Sequence, residues 1–411
     1  MSENEALGRV LKYRPSIIGM YSMYTMEEKT LSLARQLKSK CELLVAGGPL
    51  PTVYPERFLQ VFDVAAIGEG EQTMLEITLA LRNGGNLYKI DGIAYRNDTN
   101  RYGSKEENDV VRNPPRQLIS NLDSIPFPAR DLFDNEAYKG HYKVGFGNAV
   151  TSVMTSRGCP YSCDFCSKPV FGNTVRMRSS KNVVDEIEDV LSYGYDCIFF
   201  QDDCFTLDEQ RVDRICDEIL ERGLKFKWKC LSRVDSIKSE VVSKMKNAGC
   251  EQIFFGIESG NNAILKIMKK QFTTEQARKA VEAAASSGVE TGAFFILGYP
   301  GETNQTILDT IKFATSLPLD YLSFTLPYPI PGTGLYEKVK NDIKEQLYRA
   351  PRHSLIDHSL NFNSTFSERK LKFAIAKATV QFQVRKYLGN IIYYPIEKPF
   401  EIVTNQVFKF I

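Results

Sequence analysis

The amino-acid sequence predicts an α/β protein: a partial parallel (β/α) barrel of about six strands, preceded by a truncated doubly wound Rossmann-like domain. Three observations predict it. Short apolar runs alternate with amphipathic stretches in two series, from Pro15 to Gly85 and from Val150 to Pro331. Several of these runs end in glycine or acidic residues, as strands do when they open into ligand-facing loops. The length of 411 residues exceeds what one core usually organises, and 43% hydrophobic with 25% charged residues is a globular composition.

In the first series SIIGMYS, LLVAGGP and VAAIGEG read as strands, with helices through LSLARQLKSK, near PERFLQ and through MLEITLALRN. Residues 92–145 carry the short strand-like pieces GIAYR and QLIS and the proline-bearing SIPFPARDLF, which read as a connector. The second series places strands at AVTSVMT, CIFFQDD, FKWKCLS, QIFFGIES, TGAFFILG and YLSFTLPYP. Helices are expected at Val183 to Tyr193, Arg211 to Arg222, Glu240 to Ala248, Glu275 to Ser286 and Gln305 to Thr315. A further helix is expected from Glu368 to Tyr387. The expected domains are therefore 1–90, a connector 91–145, the barrel 146–335 and a C-terminal helical extension 336–411.

Lys and Arg number 52 against 50 Asp and Glu, a formal charge of +2, so no nucleic-acid partner is expected. No stretch approaches the ~18 apolar residues of a membrane span, and the first residues lack a signal-peptide core, so a cytoplasmic protein is expected. Nine cysteines in such a chain read as reduced thiols or metal ligands.

The sharpest motif is SRGCPYSCDFCSKP, directly after the first barrel strand. Cys159, Cys163 and Cys166 have the spacing CxxxCxxC, close enough for one loop to give three thiolates to an iron–sulfur cluster and leave one iron open. The competing zinc reading needs a fourth Cys or His, and nothing nearby supplies one. Cys41, Cys197, Cys216 and Cys250 read as small buried apolar residues, while Cys204 and Cys230 lie nearer the expected active-site end.

On these residues the chain resembles the radical S-adenosylmethionine superfamily, in the branch that places a cobalamin-binding-type domain ahead of the barrel. The resemblance covers about Pro15 to Pro331. It implies a [4Fe-4S] cluster on Cys159, Cys163 and Cys166, an open iron that chelates S-adenosylmethionine, and Phe165 against the adenine. It also implies that Asp202 or Asp203 in FFQDDCFT holds the amino group of the methionine moiety. Arg233 in KCLSRVD would pair with its carboxylate. Glu258, beside Ser259 in FFGIESGN, would reach the ribose. In GAFFILGYPGET, Gly298, Pro300 and Gly301 would let the backbone pass the adenine, while Glu302 stands equally as a cap of the next helix. Gly332 and Gly334 are expected to make a tight turn at the barrel rim.

YSMYT, VAGGPLPT and AAIGEGEQT resemble three loops of the cobalamin-binding fold, in which Ser22, Thr25, Gly47 and Gly48 would line the nucleotide tail. The family's histidine loop would precede them, but only about 14 residues stand before Pro15. None of His141, His353 and His358 lies in this domain. Three readings stand: cobalamin bound without a histidine ligand, a shortened relic of the domain, or a sequence that is an incomplete reading of a longer chain.

The expected activity is reductive cleavage of S-adenosylmethionine and attack on an unactivated carbon of a small-molecule or lipid-like substrate, with flavodoxin or ferredoxin as electron donor. With cobalamin the outcome would be methyl transfer. Without it, rearrangement, cyclisation or carbon–carbon bond formation would follow. The reading from a different class is a non-catalytic protein that binds corrinoid or S-adenosylmethionine.

Overall fold

The computed structural model describes residues 3–97, 110–344 and 359–410. After a helix at Glu3–Tyr13, strands β1 (Ile17–Tyr21), β2 (Leu43–Gly47) and β3 (Val64–Ala66) lie side by side in that order, all parallel. Alternate residues of β2 explain why this short strand is apolar throughout. Leu44 and Ala46 enter one core with Ala34, Leu37 and Phe58. Leu43 and Val45 enter the other with Ile77 and Ile93. The sheet is thus covered on both faces, by the helices Glu27–Leu37 and Pro55–Phe58 on one side and Glu71–Asn83 on the other.

GIAYR does not leave this sheet as a connector. It forms β4 (Ile93–Arg96), antiparallel to β3, and β5 (Val110–Arg112) extends the sheet antiparallel to β4. The piece QLIS is not a strand.

The barrel strands are β6 (Val150–Val153), β9 (Cys197–Phe200), β10 (Lys227–Ser232), β11 (Cys250–Glu258), β12 (Glu290–Ile296) and β13 (Tyr321–Thr325). Between β6 and β9 a small antiparallel ribbon intervenes, made of β7 (Ser156–Arg157) and β8 (Arg176–Met177). The six long strands pair in parallel in the order β13-β12-β11-β10-β9-β6, a sheet with two free edges rather than a closed ring. Ile198, Phe200, Trp228, Cys230, Ile253, Phe255, Ala293 and Phe295 form a buried core with residues of the crossover helices. The alternate positions Phe199, Phe254 and Phe294 are only half-buried.

The crossover helices run over Ser180–Ser192, Glu209–Glu221, Ser239–Asn247, Thr274–Ser286 and Asn304–Ser316, each within a few residues of its expected position. The alternation of the barrel series is therefore a faithful guide. The ends differ because side-chain caps set them: Ser179, Asp208, Thr273 and Thr303 each accept a backbone N–H.

The last helix is assigned over Glu368–Phe410, well beyond the expected end. A straight helix would separate Lys377 from Asn405 by about 42 Å, at ~1.5 Å per residue. Yet Lys377 Nζ donates to Asn405 Oδ1, and Lys370 Nζ lies 4.9 Å from the ring centre of Phe408. The segment therefore doubles back on itself between Lys377 and Asn405. It covers the β13 edge of the barrel, where Lys386 Nζ donates to Asp320 O at 2.7 Å.

Candidate functional site

The residues 158–175 form one long loop whose base is pinned by the β7–β8 ribbon. At that base Glu69 is buried and accepts from Arg157 Nη1 at 2.7 Å, from Arg176 Nη1 at 2.8 Å and from Ile119 N at 2.8 Å. Burial alone would raise its pKa, but the two guanidinium groups and the amide outweigh it and hold the carboxyl below its ordinary value. One carboxylate from the Gly-Glu-Gly loop after β3 thus joins the first sheet to the cysteine loop.

None of the nine cysteines is joined in a disulfide, so all three thiols of the loop remain available as ligands. Lys168 Nζ donates to the carbonyl oxygens of Cys159, at 2.8 Å, and Tyr161, which curls the chain around the thiols. The Cys166 thiol is pushed up to about 11, first by desolvation within the loop and then by the neighbouring Cys163. Among the described residues no three His, Cys, Asp or Glu side chains converge on a single-ion site.

The strand ends divide the expected ligands into those that face the loop and those that do not. Asp203 lines the cleft beside the loop, and burial followed by its neighbour Asp202 raises its pKa. Asp202 turns inward instead. It accepts from Thr155 N, Thr155 Oγ1 and Ser156 Oγ and fixes the end of β6 to β9. Ser259 is also a strut: its hydroxyl pairs with Thr310 at 3.1 Å and accepts from Asn261 N.

Arg233 reaches the loop but not with a free fork. Its Nε and Nη2 grip Asp235 at 2.9 and 2.8 Å, and Nη2 also donates to Lys270 O at 2.6 Å. The guanidinium lies flat on Tyr161, 3.5 Å from the ring centre, with Nη1 3.6 Å from Cys163 Sγ. Both edges that would clasp a carboxylate are taken.

Glu258 holds φ at +74°, the left-handed region, at a β-bulge ending β11. Such strain costs about 1–3 kcal/mol and marks a position held for a purpose. Its carboxyl is buried, which raises its pKa against the pull of Lys270, 3.4 Å away. Lys270 is itself buried and hangs over the rings of Phe165 and Phe272, at 5.8 and 5.4 Å. Phe165 meets Tyr299 edge to face. Lys270 belongs to no motif, and Lys168 and Tyr299 lie within SRGCPYSCDFCSKP and GAFFILGYPGET without a spacing that singles them out.

Gly298 and Gly301 take φ of +88° and +98°. A Cβ on Gly298 would stand 2.5 Å from Leu371, so this glycine admits the C-terminal helix rather than an adenine. Gly301 and Pro300 form the next turn, where a Cβ on Gly301 would stand 2.9 Å from Ile267. Glu302 is not a helix cap, a place Thr303 holds. Its Oε2 accepts from Gly298 N and Tyr299 N at 2.6 and 2.9 Å, and burial lifts its pKa to about 7. A carboxyl raised in the fold favours the protonated form, so its stabilisation is full below the unfolded value and is lost as pH rises through about 7. Glu302→Gln is therefore expected to match the wild type near pH 4 and exceed it by up to about 3 kcal/mol at pH 8. Urea denaturation at both pH values measures this, and a gap independent of pH would refute it.

Cys204 and Cys230 are both buried, but only Cys204 lies beside the cysteine loop, next to Cys159 and Arg233. The first sits on Ser236 Oγ at 3.3 Å and the second lies in the core shared with the helices. Gly332 makes its turn with φ +83°, whereas Gly334 opens the helix Gly334–Val339.

Between the first sheet and the cysteine loop lies a cleft of about 780 Å³. The ends of β1, β2 and β3 line it with Tyr21, Gly47 and Gly68, and the loop faces it with Ser167, Lys168 and Phe171. A Cβ on Gly47, Gly68 or Gly70 would meet nothing within 4 Å, so the bare backbone leaves room for a broad ligand. Gly48 is different: with φ +103°, its Cβ would stand 2.7 Å from the Tyr21 ring. Ser22 is fully buried beneath this wall and Thr25 is exposed outside it, so neither lines the cleft.

Comparison with known proteins decides the family. Residues 153–314 match the Radical SAM superfamily. The chain is 36% identical over 392 residues to the uncharacterized methyltransferase PH0819 of Pyrococcus horikoshii, covering 92% of this chain and 80% of that protein. The chain belongs to the radical SAM superfamily. A radical SAM enzyme carries a [4Fe-4S] cluster and uses S-adenosylmethionine. The anaerobic magnesium-protoporphyrin IX monomethyl ester cyclase of Rubrivivax gelatinosus is 27% identical, and the chain spans 62% of its length. In fold it is similar to the cobalamin-dependent radical enzyme OxsB, solved with aqua-cobalamin and S-adenosylmethionine. The TM-score is 0.73 at 18% identity, over 99% of this chain and 66% of that one. Among the described residues no helix is long and apolar enough to cross a membrane.

Proposed function

We propose that this radical SAM enzyme carries out cobalamin-dependent methyl transfer to an unactivated carbon. The carrying observation is the glycine-walled cleft that opens onto the loop of Cys159, Cys163 and Cys166. The thiolates of Cys159, Cys163 and Cys166 would hold the cluster, which would supply an open iron for S-adenosylmethionine and the electron for its reductive cleavage. A corrinoid in the cleft would supply the methyl group, and among the described residues no histidine lines the cleft to ligate it.

The remaining work belongs to this chain's side chains. Phe165, which is only partly buried, offers its ring to the adenine, and Glu258 offers the ribose a buried carboxylate. Lys270 takes the methionine carboxylate, because Arg233 is committed to Asp235 and to the loop. Asp203, on the cleft wall, takes the methionine amino group. Reduced flavodoxin or ferredoxin supplies the electron, and the substrate is a small or lipid-like molecule.

Retention of hydroxocobalamin after desalting tests the reading. Wild type is expected to hold about one corrinoid per chain, and Gly47→Leu, placed where an added Cβ meets nothing within 4 Å, is expected to lose it. A wild type that retains none while still cleaving S-adenosylmethionine would favour the cobalamin-independent reaction, such as cyclisation.

A further inference from the structure

Asp164 stands between two of the three cysteines, and its side chain is 2% exposed. Its partners come from three separate elements of the barrel mouth. Tyr299, in the loop after β12, donates its hydroxyl to Oδ2 at 2.8 Å. Lys338, on the helix Gly334–Val339, donates to the same oxygen at 2.5 Å. Lys269, after the helix Asn262–Ile267, stands 3.3 Å from Oδ1. The backbone is held as well: Asp164 N donates to Met268 O at 3.0 Å, and Leu335 N donates to Asp164 O at 2.9 Å. Gly334 completes the seat, since a Cβ there would lie 2.2 Å from Oδ1.

We propose that Asp164 is a positioning residue that registers the cysteine loop on the barrel mouth. Three anchors from distant parts of the chain converge on one carboxylate, so the loop has one seat rather than several. The helix that carries Lys338 follows the segment of Ile330, which lines the inter-sheet cleft. Asp164 thereby also sets the separation between the thiols and that cleft. The inference rests on the cysteine triad holding the cluster.

A double-mutant cycle tests it on the full-length, anaerobically reconstituted chain, with Gly334→Ala, Asp164→Ala and the pair. Gly334→Ala alone is expected to lose at least half of the iron and to alter the spin-resonance signal of the reduced cluster. In the Asp164→Ala background it is expected to change neither further, because the clashing carboxylate is gone. Losses that multiply independently would overturn the proposal, whereas wild type without iron would instead sink the cluster reading itself. Should Gly334→Ala not fold, Asp164→Asn and Lys338→Met add no bulk. They are expected to move the cluster midpoint potential in opposite directions, upward on losing the negative charge and downward on losing the positive one. Shifts of the same sign, or none, would show that Asp164 is only packing.

Discussion

Glu69→Ala is expected to destabilise the protein by about 3–5 kcal/mol, because it strips the shared partner from two buried arginines. Arg157 and Arg176 keep side-chain exposures of 13% and 7%, so neither finds solvent when the carboxylate goes. Arg157 retains Glu71 at 2.5 Å, but Arg176 retains only the carbonyl of Ile119. The second effect is on the site. These arginines sit on the ribbon that closes the cysteine loop, so the loop should lose its attachment to the first sheet and the cleft its floor. Urea denaturation measures the stability, and hydroxocobalamin retention the cleft. A loss under about 1 kcal/mol would mean that water reaches the pair and that the ion triad carries little.

Lys270→Met is expected to weaken S-adenosylhomocysteine about 10- to 100-fold while leaving 5′-methylthioadenosine within about twofold. The two ligands share adenine and ribose, and only the first carries the amino-acid carboxylate. A charge-assisted hydrogen bond is worth about 1.5–3 kcal/mol, which sets that range. Glu258→Gln should instead weaken both ligands together, since its proposed partner is the ribose. Calorimetry on the reconstituted protein separates the cases. Equal weakening of both ligands by Lys270→Met would mean that the lysine serves Glu258 and not the carboxylate.

The sequence was most readable where one local pattern decides the outcome. Strands of the barrel follow from alternation, since Phe199 and Phe200, or Phe254 and Phe255, must face opposite sides. The cysteine spacing is equally local. What stayed illegible depends on partners far along the chain. Asp202 and Asp203 are adjacent and alike in sequence, and only Thr155, 47 residues earlier, turns the first into a strut. Arg233 looked free until Asp235 and Tyr161 filled its fork. Gly298 looked like a ligand-side glycine because Leu371, which needs its missing Cβ, lies 73 positions further on. GIAYR read as a connector because a short strand carries no sign of which sheet edge will accept it.

Formation of 5′-deoxyadenosine from S-adenosylmethionine under strictly anaerobic reduction tests the central claim most directly. The reconstituted wild type is expected to carry about four irons per chain. It should then release 5′-deoxyadenosine, while the variant with Cys159, Cys163 and Cys166 all changed to Ala should hold no cluster and release none. A wild type that binds its iron and S-adenosylmethionine yet forms no 5′-deoxyadenosine, with or without hydroxocobalamin, would contradict the account and leave a binding protein in its place.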